Sequence, residues 1–100
     1  MIMKYTVKYL PSLAKDIHRI SEALNKYPAK ARRLMKEMDE KLLKLETMPK
    51  MWPVFHEIPK YRRMVLEDHL LFYRVDDKRR EVKACRIFYH RADAARHLES

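Results

Sequence analysis

The sequence contains no glycine, only one cysteine and no long apolar run. Without glycine the chain cannot form a glycine-rich phosphate loop or a dinucleotide-binding fingerprint, because both bring the backbone close to a phosphate, where a Cβ would clash. The single cysteine, Cys85, excludes an internal disulfide and a cysteine-rich zinc site, and it favours a reducing compartment. No segment approaches the roughly 20 apolar residues of a membrane span, and the charged N-terminus shows no signal-peptide pattern. We therefore expect a cytoplasmic protein without cofactors or membrane association.

Positive charge is in clear excess. The 100 residues include 23 Lys and Arg against 14 Asp and Glu, which gives a net charge of +9. A field of this sign attracts polyanions. Nucleic acid or an acidic protein is favoured over a membrane surface, because the apolar helix faces carry Leu, Ile and Met instead of large aromatic residues. Alternatively, the excess charge only keeps a small domain soluble. A hydrophobic content of 47% is typical of a folded chain, and the length predicts one domain over residues 1–100.

The first half of the chain predicts a strand and two helices. Residues 3–9 alternate between apolar and polar types, as in a half-buried strand. After Pro11, Ser12 stands where a helix N-cap is expected, and apolar residues then recur every three or four positions to a helix end near Asn25. Pro28 begins a second amphipathic helix that ends near Glu46. The short connection predicts an antiparallel helical hairpin.

The second half of the chain predicts three strands and a short helix. Residues 61–67, 69–75 and 81–89 are rich in β-branched and aromatic types and are separated by tight turns, which is typical of an antiparallel meander. Those turns must form without glycine, so we expect Asp and Lys to serve in them, and Asp tolerates a left-handed backbone better than most residues. A helix over residues 91–99 follows. The fold class is therefore α+β, with the helical hairpin packed on one face of an antiparallel sheet.

The segment over residues 47–60 is irregular and holds three prolines and the only tryptophan. Loops of this length in compact domains are often functional. The alternative is that Trp52 and Phe55 cover the end of the core.

Arginine recurs on the predicted strands, which is uncommon for hydrophobic strands and indicates an anion on that face. Strict alternation places Arg86 on one face with Ala84 and Phe88, and it places Arg74 beside Leu70 and Phe72. Arg74 and Arg86 are then neighbours on adjacent strands, flanked by aromatic residues that suit base stacking. The alternative is an ion pair between Arg86 and Glu67 or Asp68 within the sheet.

Metal binding and cysteine-based catalysis are not indicated by the sequence. None of the five histidines forms an HxxxH or HxH pair, and the cysteine is not at zinc spacing, so we expect no metal site. Cys85 lies in an apolar strand, where a small core residue is expected instead of a nucleophile.

Residues 61–93 resemble the C-terminal half of the RelE/ParE superfamily of bacterial toxins. The shared pattern is an arginine-containing strand, an acidic turn, a strand ending in F/L–Y–x–V, a charged turn, and a last strand closing in R-I-L-H/Y-G-R-R-D. The N-terminal YTVKYLPSLAKDI and the helix from Pro28 are also similar, so the resemblance extends over essentially the whole chain. It implies the toxin of a type II toxin–antitoxin module, held inactive by a cognate antitoxin protein in a possible hetero-oligomer.

The resemblance also implies a target and site residues. RelE-like toxins cut mRNA in the ribosomal A site, whereas ParE-like toxins poison DNA gyrase without being nucleases. For RNA cleavage we expect Arg86, Tyr89 and His90 to be the catalytic residues, since such a site must stabilise phosphate charge and move protons. The expected phosphate-binding residues are Arg62, Arg63, Arg74 and Arg91, and Asp93 matches a helix cap.

Two departures from the family pattern bear on the mechanism. The middle-strand arginine of the ribonuclease members falls at Leu70, which cannot polarise a phosphate. His90 stands where the family motif has a glycine, and Ala92 follows Arg91 where the motif has a second arginine. The phosphate-binding and proton-transferring groups favour mRNA cleavage, while Leu70 keeps gyrase poisoning open as an alternative. A noncatalytic module that binds RNA or DNA through the same basic face is a third possibility.

Overall fold

The computed structural model describes residues 3–89 and 94–99. Its elements follow the predicted order, so the α+β fold class is confirmed. They are β1 (Thr6–Tyr9), α1 (Pro11–Ala23), α2 (Pro28–Lys44), β2 (Arg62–Leu66), β3 (His69–Asp76), β4 (Glu81–Tyr89) and α3 (Ala94–His97). Within these described ranges, no helix is long and apolar enough to cross a membrane.

The four strands form one sheet in the order β1-β4-β3-β2. Strands β2, β3 and β4 form the predicted antiparallel meander. The expectation of a wholly antiparallel sheet is wrong at one edge, because β1 pairs with β4 in parallel. Parallel neighbours need a long connection, and here both helices, the irregular segment and two strands separate β1 from β4 along the chain.

Helix α1 begins two residues earlier than the Ser12 cap implies. Leu10, with an extended backbone (ψ 156), is the N-cap residue, and no side chain caps the helix. Pro11 occupies the first turn, where its missing N–H leaves no donor unsatisfied. The prediction that Ser12 caps the helix is therefore wrong. Ser12 lies inside the helix, and its Oγ donates to the carbonyl oxygen of Cys85 at 2.6 Å.

The two long helices cover one face of the sheet, which we call the helix face. Their apolar residues pack on the inward residues of the strands, and the periodicity found in the sequence is confirmed. The buried side chains of this core are Leu13, Leu34, Met38, Leu42, Leu45, Met64, Leu66, Leu71, Tyr73, Val82, Ala84 and Ile87.

The opposite face, which we call the outer face, has its own smaller core. The irregular segment supplies Phe55 and Tyr61, and the C-terminal region supplies Ala94 and Leu98. The strand residues they cover are Phe72, Cys85 and Phe88. Trp52 packs against the helix-face core. The interpretation of Trp52 and Phe55 as core cover is confirmed, and the segment bridges both cores.

A β-bulge in β4 changes which face each of its residues takes. Phe72 pairs with Arg86 and Tyr73 pairs with Ala84, so Cys85 is an extra residue on β4. Arg86 therefore shares the outer face with Phe88, as predicted, but Ala84 lies on the helix face. The strict alternation assumed from the sequence is wrong at this point. A bulge inserts one residue without changing the hydrophobic pattern enough to reveal itself.

Two turns of this glycine-free chain use residues with side chains in the left-handed region. These are Glu67 with φ 47 and Arg80 with φ 53. The expectation that Asp and Lys serve in these turns is wrong for the left-handed positions, which Glu67 and Arg80 take. In the turn before β4, Asp76 instead accepts a hydrogen bond from the backbone N–H of Arg79 at 3.1 Å through Oδ1. Because a left-handed backbone crowds the Cβ against the following carbonyl oxygen, both positions are strained.

Replacing Arg80 with glycine should stabilise the protein. A Cβ in the left-handed region costs about 1–2 kcal/mol, and the extra unfolded-state entropy of glycine offsets about 0.5–1 kcal/mol of that gain. We expect the free energy of unfolding, measured by urea denaturation, to rise by about 0.5–1 kcal/mol. Arg79→Gly is the matched control, since it removes the same charge from the same turn at a position without positive φ. Equal stability of the two variants would contradict the strain argument.

Candidate functional site

Strand β4 is longer than its parallel neighbour β1. Beyond the end of β1, helix α1 lies along the edge of β4. β1 ends at Tyr9, opposite Ala84, whereas β4 continues to Tyr89. The carbonyl oxygen of Ala84 accepts from the N–H of Leu10 at 3.0 Å. Farther along, Ser12 Oγ donates to the carbonyl of Cys85. These contacts supply partners that a missing strand would otherwise have supplied.

Asp16 is the central residue of this contact. It is 1% exposed, and its Oδ2 accepts the backbone N–H of Ile87 at 3.0 Å. The same carboxylate binds Arg86 through two contacts, Nε to Oδ2 at 2.8 Å and Nη2 to Oδ1 at 3.2 Å. Arg19 adds a third cationic contact, from Nη2 to Oδ1 at 3.2 Å. A buried carboxylate is thus satisfied by a fork-shaped guanidinium and a backbone donor.

Arg86 also connects α1 to the C-terminal helix. Its Nη1 donates to the carbonyl oxygen of His97 at 2.9 Å, and its guanidinium carbon lies 4.7 Å from the centroid of the Phe88 ring. The alternative of an ion-paired Arg86 is correct in kind, but the partner is Asp16 and not Glu67 or Asp68. Those two acids instead face α2, where Glu67 contacts Arg33 and Asp68 contacts Lys30.

Sequence reasoning missed Asp16, although a signal was present. Asp16 follows Leu13 by three positions and precedes Ile20 by four, so it lies on the apolar face of α1. A carboxylate on such a face is expected to be paired. The sequence could therefore have identified Asp16 as the partner of a buried cation, but not which cation.

A groove of about 550 Å³ opens between α1, the end of β4 and α3. Arg86 and Tyr89 both line it, together with Arg19, Ile20, Ala23, Ile87, Phe88 and His97. Tyr89 is 53% exposed, and its ring meets the His69 ring edge-on at 5.6 Å. Burial lowers the pKa of His69, which favours a neutral imidazole there. The structure thus brings two of the predicted catalytic residues to one groove.

The arginines predicted to bind phosphate separate into different settings. Arg62 donates from Nη1 to the carbonyl oxygens of Trp52 at 2.7 Å and Lys50 at 3.3 Å, so it holds the irregular segment. Arg63 is exposed on the outer face, directly opposite Phe72. Arg74 is also exposed and lies over the Tyr61 ring, 6.0 Å from its centroid.

The predicted proximity of Arg74 and Arg86 is confirmed. Both line a shallow pocket of about 230 Å³ whose other walls include Tyr61, Cys85 and Leu98. Burial raises the pKa of the Cys85 thiol, which disfavours the reactive thiolate. In the part of the chain that the structure describes, no group of three or more His, Cys, Asp or Glu side chains could hold a metal ion.

Three residues singled out in the sequence lie outside the described residues. They are His90, Arg91 and Asp93. Their expected roles in proton transfer, phosphate binding and helix capping stay predictions.

Comparisons with known proteins agree with this architecture. A solved ParDE toxin–antitoxin system from P. aeruginosa includes a chain with 21% identity and a TM-score of 0.71, covering 87% of this chain and 97% of that one. The RelBE2 toxin–antitoxin complex from Mycobacterium tuberculosis gives 22% identity and a TM-score of 0.64, covering 86% and 98%. A mutant of the E. coli toxin RelE in the free state gives 14% identity and a TM-score of 0.69, covering 95% and 93%. At these identities the likeness shows the fold.

The family itself is shown by sequence. No curated protein matches the chain. However, the family model described as the ParE toxin of the type II toxin–antitoxin system parDE matches residues 7–94, which is most of its length. The chain belongs to the ParE family of type II toxins.

Proposed function

We propose that this toxin poisons DNA gyrase and does not cleave mRNA. Gyrase poisoning is the activity associated with ParE-like members of the superfamily, and the matching family model is the ParE model. The observation that carries the proposal is the commitment of Arg86 to the buried carboxylate of Asp16.

An arginine that stabilises a phosphate transition state needs donors directed at the reacting oxygens. Here Nε and Nη2 of Arg86 bind Asp16, and Nη1 binds the carbonyl of His97. A phosphate that drew Arg86 away would leave the carboxylate, 1% exposed, without its main counter-charge. Such a loss costs about 3–5 kcal/mol. The geometry supports a structural role for Arg86.

The middle strand gives the second line of support. Leu70 pairs with Val65 on one side and Phe88 on the other. This row is apolar across three strands, at the position where ribonuclease members of the superfamily place an arginine. None of these side chains can bind a phosphate or transfer a proton.

A cognate antitoxin is the partner that we propose to hold the toxin inactive. The related P. aeruginosa and M. tuberculosis structures are described as a toxin–antitoxin system and a toxin–antitoxin complex. An antitoxin with acidic segments suits the net charge of +9.

Ribosomal mRNA cleavage is the second candidate, favoured by one observation. Tyr89 and His69 are in ring contact, with Tyr89 lining the groove, and a phenol beside an imidazole can transfer protons.

Gyrase assays separate the two candidates. Incubation of the toxin with gyrase, ATP and supercoiled plasmid, followed by detergent and protease, should release linear DNA from trapped cleavage complexes. Primer extension on mRNA from induced cells should show no codon-phased cuts. Codon-phased cuts together with an absence of linear DNA would overturn the proposal.

Tyr89→Phe is the matched variant for these assays. It keeps the ring contact with His69 and removes only the hydroxyl group, so a toxin that poisons gyrase should still arrest growth. Relief of growth arrest by this change would instead support mRNA cleavage.

A further inference from the structure

Three cationic residues form a row across the outer face of the sheet. In the parallel pair, Lys8 lies opposite Lys83, and in the antiparallel pair Lys83 lies opposite Arg74. Residues directly opposite one another point to the same face. We call Lys8, Lys83 and Arg74 the outer-face cation row.

Two of the three cations of the row, Arg74 and Lys83, carry positive charge without an ion pair in the described structure. Lys8 contacts Glu81 and its side chain is 50% exposed. Arg74 is exposed and Lys83 is half-buried, and among the described residues neither has a carboxylate within ion-pair distance. The pKa of Asp76 is lowered chiefly by the backbone N–H of Arg79 and that of Glu81 chiefly by Lys8, and the charge of Lys83 adds a smaller lowering to both. Arg74 also lines an adjoining pocket of about 350 Å³ with Lys50, Lys60, Arg62 and Asp77. Within it Lys50 pairs with Asp77, and Lys60 pairs with Glu99.

The dimensions of the row suit a nucleic-acid backbone. Neighbouring strands lie about 4.8 Å apart, so the row is roughly 10 Å long. One strand of B-DNA carries a phosphate about every 3.4 Å along the helix axis, and the long side chains of Lys and Arg can reach successive phosphates. The outer face also carries the irregular segment and α3, and contacts from the row to phosphates need no entry into a groove of the DNA. Such contacts do not depend on base sequence.

The aromatic residues near the row favour duplex DNA over single-stranded RNA. Recognition of unpaired bases needs exposed rings on which the bases stack. On this face the rings are buried, with Tyr61 at 6%, Phe72 at 0% and Phe88 at 6% exposure. The described surface around the row therefore offers charge without a stacking platform.

We propose that the outer-face cation row binds the phosphate backbone of duplex DNA without sequence preference. Through this row the toxin would contact the DNA that gyrase holds, and this role of the row rests on the proposed function. The binding of DNA by the row does not rest on the proposed function, since it needs only the toxin and DNA.

Fluorescence anisotropy with a labelled mixed-sequence duplex of about 20 base pairs tests the row. The double variant Arg74→Gln/Lys83→Gln should bind about tenfold more weakly than the unaltered full chain at moderate salt. Between about 50 and 200 mM salt, the slope of log K against log salt should become shallower by about 2, since each phosphate contact contributes about 0.9.

The control variant Lys36→Gln/Lys44→Gln removes the same net charge from exposed positions on α2. It should keep its affinity within about twofold, because its charges lie on the helix side of the sheet. An equal loss of affinity in the control variant would show that net charge alone determines binding, and it would overturn the proposal. Tighter binding of single-stranded RNA of the same sequence would also overturn it, as would an unaltered chain that does not bind the duplex.

Circular dichroism of each variant verifies folding. If the double variant is unfolded, Arg74→Gln and Lys83→Gln are measured separately, and each should reduce the salt slope by about 1. The binding assay contains no gyrase, so its result is independent of the gyrase assay. A failure of DNA binding would be seen even if cleavage complexes form, and a failure to form cleavage complexes would be seen even if the toxin binds DNA.

Discussion

Replacing Asp16 with alanine should lower the free energy of unfolding by about 3–5 kcal/mol, the cost of breaking a buried ion pair by removing one partner. The change leaves Arg86 with an incomplete set of acceptors and removes the acceptor of the Ile87 N–H. It also removes one of the contacts that hold α1 against β4. No other single polar contact in the described structure combines such burial with so many partners.

Urea denaturation measures the effect, and Arg19→Ala is its control. Arg19 contacts the same carboxylate, but its side chain is 64% exposed, so its loss should cost less than about 1 kcal/mol. If Asp16→Ala does not fold, the double variant Asp16→Leu/Arg86→Leu should recover a folded protein, because no buried charge is then left unpaired. A loss for Asp16→Ala no larger than for Arg19→Ala would contradict the assignment.

The same ion pair affects how Arg86 variants should be interpreted. If Arg86 were a phosphate-binding catalytic residue, Arg86→Ala would remove activity and leave stability nearly unchanged. With Asp16 buried beside it, the same change removes the counter-charge of that carboxylate. Loss of toxicity in Arg86→Ala is therefore informative only together with a denaturation curve.

Phe72→Ala is the second change with a large expected effect, a loss of about 3–5 kcal/mol. Phe72 is fully buried at the centre of the outer-face core. Its ring meets Phe55 at 4.9 Å and Phe88 at 6.0 Å, both edge-on. Removing the ring opens a cavity beneath the irregular segment and loses both aromatic contacts.

Hydrogen exchange identifies the part of the structure that Phe72→Ala destabilises. We expect faster exchange of the Phe55 N–H, which donates to the Tyr61 carbonyl at 2.8 Å, because Phe72 no longer anchors the Phe55 ring. Val65→Ala is the control on the same face. Val65 is 41% exposed, and its truncation should cost under about 1 kcal/mol.

Phe72→Leu, which keeps part of the buried volume, replaces Phe72→Ala if that variant is unfolded. Similar stability of the Phe72 variant and Val65→Ala would show that the outer-face core contributes little.

Most of the fold could be predicted from the sequence because it is encoded in hydrophobic periodicity. The spacing of Leu13, Ile17 and Ile20 determines the buried face of α1, and the β-branched runs determine the meander. The start of α1 depends on Pro11, which favours the first helical turn and so places Ser12 inside the helix. The parallel pairing of β1 depends on β4 returning beside β1 with most of the chain between them in sequence. No local sequence pattern encodes this long-range pairing.

The candidate site was less predictable, for a similar physical reason. Which side chains converge on Arg86 depends on the bulge at Cys85 and on the docking of α1 beside it. Neither changes the residue types, since Cys, Arg and Ile follow one another in either geometry. The family could be identified from the order of elements, the length and the charge taken together, and from no single motif. The proposed target rests on individual contacts, above all the one between Arg86 and Asp16.

The protected edges of the sheet bear on how long the free toxin can persist in solution. An unpaired strand edge templates edge-to-edge aggregation. At one side β1 is only four residues long and α1 binds the rest of β4. At the other side, Pro53 and Phe55 pair along β2, and Lys41 Nζ binds the carbonyl of Val65 at 2.7 Å. The covered edges therefore disfavour aggregation of the free chain through its sheet.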